Sequence, residues 1–350
     1  MKKILVTGGC GYIGGHTNID LVENGFEVIS VDDLSRGSLK MIHGVEKILG
    51  KTIKNYKVNL CNLDDTEAIF LENPDIVGII HFAAFKSVNE SVNEPLEYFR
   101  NNLNSLINIL KCAEEFDVSN FVFSSSCSVY GNPTFLPVTE EMPFAEPESP
   151  YARTKQIGEK ICEDFCKINE HFNTILLRYF NPVGAHSSSI IGEFNETPEN
   201  VVPVITQTAI GKRKDMTVFG NDYDTRDGSC IRDYIHVMDI ANAHTKALQY
   251  IIDDRNKSNC EIFNLGTGNG VTVLELIAAF EKISGIKLNY NIGNRRAGDV
   301  IEVYANNNKA KKQLGWETKY DLESMMTTAW NWENALAAHK KAVKPEKVTE

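Results

Sequence analysis

A tyrosine and a lysine four residues apart, with a serine upstream, could together remove a proton from a hydroxyl group. Tyr151 and Lys155 follow Ser149 and Pro150, which favour a helix start, so the two side chains lie one turn apart on one face. A phenol titrates near pH 10, and acting as a base at neutral pH requires roughly 4 kcal/mol of preferential phenolate stabilisation. The Lys155 ammonium could supply part of it, and a serine could hold the substrate oxygen in line.

The position of these residues after a predicted strand is stronger evidence for a site than their spacing, because a Tyr-x-x-x-Lys pattern often arises by chance. A surface tyrosine beside a solvated lysine is the plain alternative. However, Ser124, Ser125 and Ser126 directly follow a predicted strand, Phe121–Phe123. Ligands of parallel α/β sheets bind at this carboxyl end of the strands. We therefore predict a site there, with two of the three serines acting only as turn residues.

A glycine-rich segment directly after the first predicted strand indicates a dinucleotide site. Gly8, Gly11 and Gly14 stand at the spacing Gly-x-x-Gly-x-x-Gly and open a helical segment. Glycines permit a tight turn and a close approach to a pyrophosphate, and the N-terminus of the helix attracts the phosphates. Asp32 and Asp33 end the second predicted strand, where a carboxylate accepts ribose hydroxyls and repels a 2′-phosphate. The pattern favours NAD over NADP.

Short apolar runs alternate with helical stretches along the first half of the chain. The predicted strands are Ile4–Val6, Val28–Val31, Ile76–Ile80, Phe121–Phe123 and Ile175–Leu177. This alternation predicts an α/β fold, a doubly wound parallel sheet of the Rossmann type. After about Asn181 prolines and polar loops become frequent, which predicts a second, smaller mixed α/β domain. We therefore expect a dinucleotide-binding domain over 1–180 and a second domain over 181–350, with some of its segments returning to the first.

Composition limits the possible partners and the location of the chain. The 350 residues include 36 basic and 47 acidic side chains, a formal charge of −11, which argues against nucleic-acid binding. No apolar run is long enough for a membrane span, and no signal peptide is recognisable, so we expect a cytoplasmic protein. The eight cysteines are scattered and expected to be reduced. Histidines and cysteines form no ligand grouping, so no metal site is expected.

Four further strings accompany the glycine, serine and Tyr151/Lys155 motifs. They are His81–Lys86, Arg178–His186, Phe219–Tyr223 and Arg232–Asp239. Together these motifs resemble the UDP-sugar 4-epimerases of the extended short-chain dehydrogenase/reductase family, over roughly residues 2–335. The resemblance implies a homodimer that interconverts UDP-glucose and UDP-galactose through transient, NAD-dependent oxidation of the sugar at C4. UDP-sugar is the implied substrate.

The resemblance also implies a role for individual residues. Tyr151 would remove the proton of the sugar 4-hydroxyl, Lys155 would lower the tyrosine pKa and hold the nicotinamide ribose, and Ser126 would bridge substrate and tyrosine. The NAD contacts of the family fall on Gly8, Gly11, Tyr12, Ile13, Gly14, Asp32, Asp33, Asn59, Leu60, Phe82, Ala83, Lys86, Asn101, Tyr151, Lys155 and Phe180. The substrate contacts fall on Lys86, Ser126, Asn181, Asn200, Val201, Phe219, Arg232, Arg296, Asp299 and Val303. Family members usually carry Asp at the position of Asn59, but an amide still accepts and donates, so binding is expected to survive.

Other functions remain open at this stage. Related 4,6-dehydratases carry an Asp-Glu pair after the hydroxyl residue, where this chain has Cys127 and Ser128 and hence no evident acid or base for dehydration. Epimerisation of another UDP-sugar, such as UDP-glucuronate, is the enzymatic alternative. A non-catalytic NAD-sensing or scaffold protein is the alternative from another class, against which the intact Tyr151 and Lys155 argue.

Val303 matches a position that controls substrate size in the family and is small in members that accept several substrates. This match predicts epimerisation of UDP-N-acetylglucosamine as well. A valine packed in the core is the plain alternative.

Overall fold

Strands and helices alternate along the first half of the chain, as the sequence predicts. The computed structural model describes residues 1–296 and 299–343. Its strands are β1 (Lys3–Thr7), β2 (Glu27–Val31), β3 (Lys54–Tyr56), β4 (Ile76–His81), β5 (Asn120–Ser124), β6 (Asn173–Tyr179), β7 (Asn181–Val183), β8 (Met216–Phe219), β9 (Ile231–His236), β10 (Cys260–Leu265), β11 (Gly270–Thr272), β12 (Tyr290–Gly293) and β13 (Glu302–Val303). Its helices are α1 (Tyr12–Glu23), α2 (Leu39–Leu49), α3 (Leu63–Glu72), α4 (Val88–Asn93), α5 (Pro95–Glu115), α6 (Pro150–Ile168), α7 (Val201–Ala209), α8 (Val237–Ile252), α9 (Val273–Ser284) and α10 (Leu322–Val343).

A seven-stranded parallel sheet dominates the described part of the chain, in the order β10-β6-β5-β4-β1-β2-β3. The chain adds β2 and β3 on one side of β1 and then crosses to β4 on the other side. This reversal leaves a crevice beyond the carboxyl ends of β1 and β4, which is where open α/β sheets bind ligands. The sheet confirms the predicted doubly wound, Rossmann-type α/β fold.

The strands of this sheet bury side chains on both faces. Ile4 and Val6 of β1 belong to one apolar cluster, whereas Leu5 between them belongs to the cluster on the opposite face. Helices α1 and α8 pack together on the first face, and α5 packs against α6 on the second. Burial on both faces explains why these strands are near-continuous apolar runs in the sequence.

The later part of the chain adds smaller sheets beside the large one. β9 pairs with β7 and β13 in parallel and with β11 in antiparallel fashion, and β8 pairs with β12. A third apolar cluster, which includes Phe280 and Met326, joins α7, α9 and α10 to these sheets. The predicted boundary at residue 180 falls between β6 and β7. It stays a prediction, and both α8 and β10 pack with the first sheet although they follow this boundary.

Three general properties bear on the choice of function. No helix among the described residues combines the length and apolar character that crossing a bilayer requires. Within residues 1–296 and 299–343, no group of three or more His, Cys, Asp or Glu side chains could hold a metal ion. All eight cysteines are free thiols.

Candidate active site

The glycine loop between β1 and α1 leaves no room for side chains. Gly8 has a φ of 69°, and a Cβ added there would lie 2.9 Å from the backbone nitrogen of Ala83. A Cβ on Gly14 would lie 2.3 Å from the carbonyl oxygen of Gly8. Gly11 caps α1 without a side-chain hydrogen bond, so the N-terminus of the helix keeps its partial positive charge for a ligand. This cradle of backbone fits the pyrophosphate of NAD.

The two aspartates at the end of β2 lie where the sequence predicts a ribose contact. Asp32 is buried, and its carboxylate accepts hydrogen bonds from the backbone N–H groups of Cys10, at 3.1 Å, and Leu34, at 2.9 Å. Asp33 accepts hydrogen bonds from the N–H and hydroxyl groups of Ser35 at 2.8 and 2.6 Å. Since a carboxylate has about four acceptor sites, Asp32 can hold the glycine loop and still accept ribose hydroxyls. Burial raises its pKa.

The predicted cofactor residues after β4 lie against the glycine loop. The N–H groups of Phe82 and Ala83 donate to the carbonyl and the hydroxyl of Thr7, at 3.1 and 3.2 Å. Lys86 is exposed, lies 6.0 Å from the ring centre of Tyr12 and forms an ion pair of 2.9 Å with Glu193. On this side the crevice is therefore bordered by an aromatic ring and an ion pair.

The residues predicted to contact the adenine, and Phe180, lie at two other places around the glycine loop. Asn59 is exposed and Leu60 is buried, and the thiol of the next residue, Cys61, contacts the carbonyl of Asn101 at 3.6 Å. Phe180 is buried directly after β6, and Ile13 packs at the edge of the apolar cluster that contains Ile4 and Val6. The structure thus places Asn59, Leu60 and Asn101 together, on the side of the sheet formed by β3.

The predicted catalytic residues come together at the ends of β5 and α6. Ser126 lies close enough to the hydroxyl of Tyr151 to lower the pKa of the tyrosine. The Nζ atom of Lys155 donates to the carbonyl of Ser124 at 2.7 Å and lies 5.9 Å from the ring centre of Tyr151. All three side chains are buried. This arrangement can exchange a proton with a hydroxyl group held between serine and tyrosine.

The electrostatics of this site depend on burial. Burial raises the pKa of Tyr151, and the hydrogen bond with Ser126 opposes the rise. Burial lowers the pKa of Lys155 to about 8, while Glu159 on the same helix raises it. Lys155 is therefore mostly protonated at neutral pH. The protein alone favours the neutral phenol, so forming the phenolate requires further positive charge, which an oxidised nicotinamide carries.

The predicted diphosphate contacts form a second cluster. Asp299 accepts hydrogen bonds from Arg296, the shortest at 2.6 Å, and lies 3.7 Å from an Nη atom of Arg232. The Arg296 guanidinium lies 5.5 Å from the ring centre of Phe219. Val303 is opposite Arg232 in the pairing of β13 with β9. The structure therefore joins five of the predicted substrate residues in one region.

The remaining substrate residues lie on neighbouring segments. Asn181 starts β7, and Asn200 is the exposed N-cap of α7, whose first residue is Val201. The hydroxyl of Ser87 donates to Glu199 at 2.8 Å, which links the start of α7 to the segment that carries Lys86.

Residues without a predicted role also shape the site. The hydroxyl of Thr7 shares a hydrogen bond of 2.9 Å with His81, in addition to its contact with Ala83. Asn102 accepts from the N–H of Phe85 at 2.8 Å and donates to the carbonyl of that residue at 3.1 Å and to Thr154 at 3.1 Å. Thr7 lies in the glycine motif, where its role could have been suspected, whereas nothing in the spacing of Asn102 indicates that it joins α5 to α6.

A glycine cradle for NAD beside a buried serine, tyrosine and lysine defines a dinucleotide-dependent enzyme of the short-chain dehydrogenase/reductase class. Residues 5–329 match the model of the family described as GDP-mannose 4,6 dehydratase. The chain belongs to this family of extended short-chain dehydrogenases/reductases and, within it, to the UDP-glucose 4-epimerases.

The similarity to the 4-epimerases extends over nearly the whole chain. The UDP-glucose 4-epimerase of Bacillus subtilis (strain 168) is 43% identical over 333 residues, which are 95% of this chain and 97% of that protein. A structure from Stenotrophomonas maltophila with bound NAD and formylated UDP-arabinopyranose is 39% identical, with a TM-score of 0.93, and covers 97% of this chain and 100% of its own. A structure from Bifidobacterium longum in complex with NAD+ and UDP is 42% identical, with a TM-score of 0.91, and covers 95% and 98%.

Proposed function

We propose that this chain interconverts UDP-glucose and UDP-galactose by inverting the configuration at C4 of the sugar, with NAD that stays bound. The contact between Ser126 and Tyr151 carries this proposal, because it places a hydroxyl donor and a candidate base side by side in a buried site. Family membership indicates the same reaction.

The side chains have distinct tasks in this reaction. Tyr151 takes the proton of the 4-hydroxyl and returns it to the same oxygen, while Ser126 holds that oxygen in line. Lys155 stays protonated and holds the nicotinamide ribose. Arg232 and Arg296 are suited to the diphosphate because their planar groups bind two oxygens at once. When bound, NAD supplies the hydride acceptor and donor at C4.

The residues after Ser126 favour epimerisation over dehydration. Elimination of water from C5 and C6 of the sugar requires an additional acid and base. Burial raises the pKa of the Cys127 thiol to about 12, so this group neither donates nor accepts a proton readily near neutral pH. The neighbouring Ser128 hydroxyl is not ionisable in the physiological range. The chain therefore lacks at these positions the groups that a dehydratase would use.

Substrate breadth depends on Val303. Its side chain belongs to a small apolar cluster with Phe180 and Tyr130. Cys127 packs against this cluster and directly follows Ser124–Ser126, the segment called the serine loop below. A valine occupies less of this region than a tyrosine would, and so leaves space for a substituent at C2 of the sugar. We expect UDP-N-acetylglucosamine and UDP-N-acetylgalactosamine to be interconverted as well.

The same proposal includes a homodimer in the cytoplasm. Four apolar side chains, Leu96, Phe99, Leu103 and Ile107, recur at helical spacing along α5, and Leu96 is 80% exposed. A second copy of the chain would cover this stripe. Free thiols at all eight cysteines suit a reducing compartment. Sedimentation of the protein tests the dimer, and a monomer at micromolar concentration would contradict it.

The decisive experiment is incubation of the purified protein with UDP-galactose and no added cofactor, followed by separation of the products. UDP-glucose is the expected product, whereas a 4-keto-6-deoxy sugar would indicate dehydration instead. Tyr151→Phe should lower turnover at least about 100-fold and keep NAD bound, because only the proton acceptor is removed. Tyr290→Phe, at an exposed tyrosine of β12, is the matched control and should have wild-type turnover. Wild-type turnover of Tyr151→Phe would contradict the proposed mechanism.

A further inference from the structure

A buried ion pair lies directly behind the catalytic residues. Glu159 is on α6, one turn after Lys155, and Arg178 is near the end of β6. The side chains are at most 3% exposed. The Nε atom of Arg178 lies 2.9 and 3.2 Å from the two carboxylate oxygens, and its Nη2 atom lies 2.6 Å from one of them. This two-pronged geometry fixes the orientation of both groups.

The carboxylate end of the pair holds the serine loop. The hydroxyl of Ser125 donates to Glu159. On one side of Ser125, the carbonyl of Ser124 accepts from Lys155, and on the other side Ser126 lies close enough to Tyr151 to lower its pKa. Glu159 therefore fixes the middle of a three-residue segment whose two ends contact the two catalytic groups of α6.

The guanidinium end holds the turn that follows this segment. Arg178 donates to the hydroxyl of Tyr130 at 3.0 Å, and that hydroxyl donates to Asn264 at 2.7 Å. Tyr130 ends the short helical turn Cys127–Tyr130, which Ser126 begins as its N-cap. The ion pair thus anchors both ends of the segment that carries Ser126.

Stability alone is a weak reason for such a pair. Removing two charges from water has a large free-energy penalty, and apolar side chains of similar volume often stabilise a core equally well. A function that depends on the positions of the charges explains the pair better.

We propose that Glu159 and Arg178 are positioning residues for the proton transfer: their ion pair sets the serine loop against α6 and sets the electrostatic field in which Tyr151, beside the Lys155 ammonium, exchanges a proton with the substrate hydroxyl. This inference rests on the function proposed above for Tyr151 and Lys155.

The charges around the pair give the field a defined direction. Lys155 lies one turn before Glu159 on α6, and Glu159 raises its pKa against the effect of burial. The other titratable groups that interact with Lys155 or Glu159 are Cys162 from α6, His81 from β4 and Arg178 from β6, and Arg178 in turn contacts Tyr130 in the turn after β5. Tyr151 faces Tyr179 from β6, Cys127 from that turn and Tyr98 from α5, and burial raises the pKa of all three. Burial lowers the pKa of His81 to about 3 and keeps the Cys162 thiol neutral by raising its pKa. Apart from the ion pair and Lys155, these groups are uncharged near neutral pH.

Two substitutions that remove opposite charges test the inference in the NAD-loaded enzyme. Glu159→Gln removes a negative charge, so the pKa of both Tyr151 and Lys155 should fall. Both limbs of the pH profile of kcat should therefore move to lower pH by about one unit. Arg178→Gln removes a positive charge and should move both limbs to higher pH by a similar amount. A purely structural pair would lower activity in both variants without opposite shifts.

Controls separate this inference from the proposed function. Absence of turnover in the wild-type protein would contradict the proposed function. Even in that case the pKa of Tyr151 can be measured without turnover. It is obtained from the difference in tyrosinate absorbance between each variant and the same variant that also carries Tyr151→Phe. Glu163→Gln, which removes a charge from an ion pair at the surface of the same helix, should leave both limbs unchanged.

A third substitution keeps the inference testable if either charge variant fails to fold. Ser125→Ala breaks the tether to Glu159 without a change in charge and should lower kcat at least about tenfold with little effect on KM or NAD content. Wild-type kcat in Ser125→Ala, or unmoved limbs in folded Glu159→Gln and Arg178→Gln, would overturn the inference.

Discussion

Asp233→Asn tests how the protein holds the strand that carries Val303. The Asp233 carboxylate is fully buried and accepts hydrogen bonds through both oxygens. One oxygen accepts from the N–H and hydroxyl groups of Thr267, at 2.8 and 2.6 Å. The other accepts from the N–H groups of Gly268 and Ala305, at 3.0 and 3.1 Å. Asparagine replaces the second oxygen with an NH₂ group, which cannot accept, and so leaves two buried N–H donors unpaired.

The expected effects follow from this loss. Two unsatisfied buried donors cost about 1–3 kcal/mol each, so the free energy of unfolding should fall by about 2–6 kcal/mol. At about 2 °C per kcal/mol, the Tm should fall by about 4–12 °C. Ala305 is two residues after Val303, and Asp233 directly follows Arg232, so the KM for the UDP-sugar should rise while the NAD content stays unchanged.

Differential scanning fluorimetry and steady-state kinetics on the same samples measure both effects. Asp224→Asn, at an exposed aspartate in the loop after β8, is the matched control and should match the wild type in Tm and KM. If the Tm of Asp233→Asn stayed within about 1 °C of the wild type, the argument from unsatisfied donors would be refuted.

Three more predictions address the cofactor, the substrate and pH. Gly14→Ala should lower the NAD content of the purified protein at least about tenfold, because the new Cβ would lie 2.3 Å from a backbone oxygen. The absorbance of the released cofactor measures the NAD content, and full occupancy would contradict this prediction. Val303→Tyr should lower turnover of UDP-N-acetylglucosamine at least about tenfold relative to UDP-galactose, whereas Val303→Ala should retain both, and equal effects on both sugars would argue against a gate. Burial raises the pKa of Asp239 to about 6, above its unfolded value, so the stability contributed by its protonated form is present below about pH 4 and is lost as the pH rises through 6. The Tm of the wild type relative to Asp239→Asn should therefore fall between about pH 4 and pH 7, by the equivalent of roughly 2–3 kcal/mol, and a constant difference would contradict the assignment.

Apolar runs were sufficient to predict the strands at the centre of the large sheet. Ile4–Val6 and Ile76–Ile80 lie within β1 and β4, because both faces of these strands are covered and both must be apolar. Lys54–Tyr56, which forms β3, was not predicted. It is a three-residue strand at the edge of the sheet with exposed or half-buried side chains, so burial imposes no apolar pattern on it. The pairing of β10 with β6 could not be predicted either, because contact between segments far apart in the chain produces no regular spacing of residues.

The candidate site was predictable where residue order and backbone geometry restrict the choice of residue. The glycine loop is an example, because close approach of two backbones leaves room for nothing larger. The proximity of Tyr151 to Lys155 follows from helical spacing. In contrast, no spacing rule brings Glu159 on a helix to Arg178 on a strand. Such an ion pair depends on how helix and sheet pack, and the sequence alone shows only two charged residues.

The position of β10 at the edge of the large sheet has a consequence for how the protein is made. Cys260–Leu265 pairs along its full length with Thr174–Tyr179 of β6. While the chain emerges from the ribosome, β6 therefore has an open edge until residues far downstream have been synthesised. An open edge is a template for pairing with another chain, so the nascent protein is exposed to misassembly during this interval. A fragment that ends at residue 180, the predicted domain boundary, would keep this edge permanently and should aggregate when expressed alone.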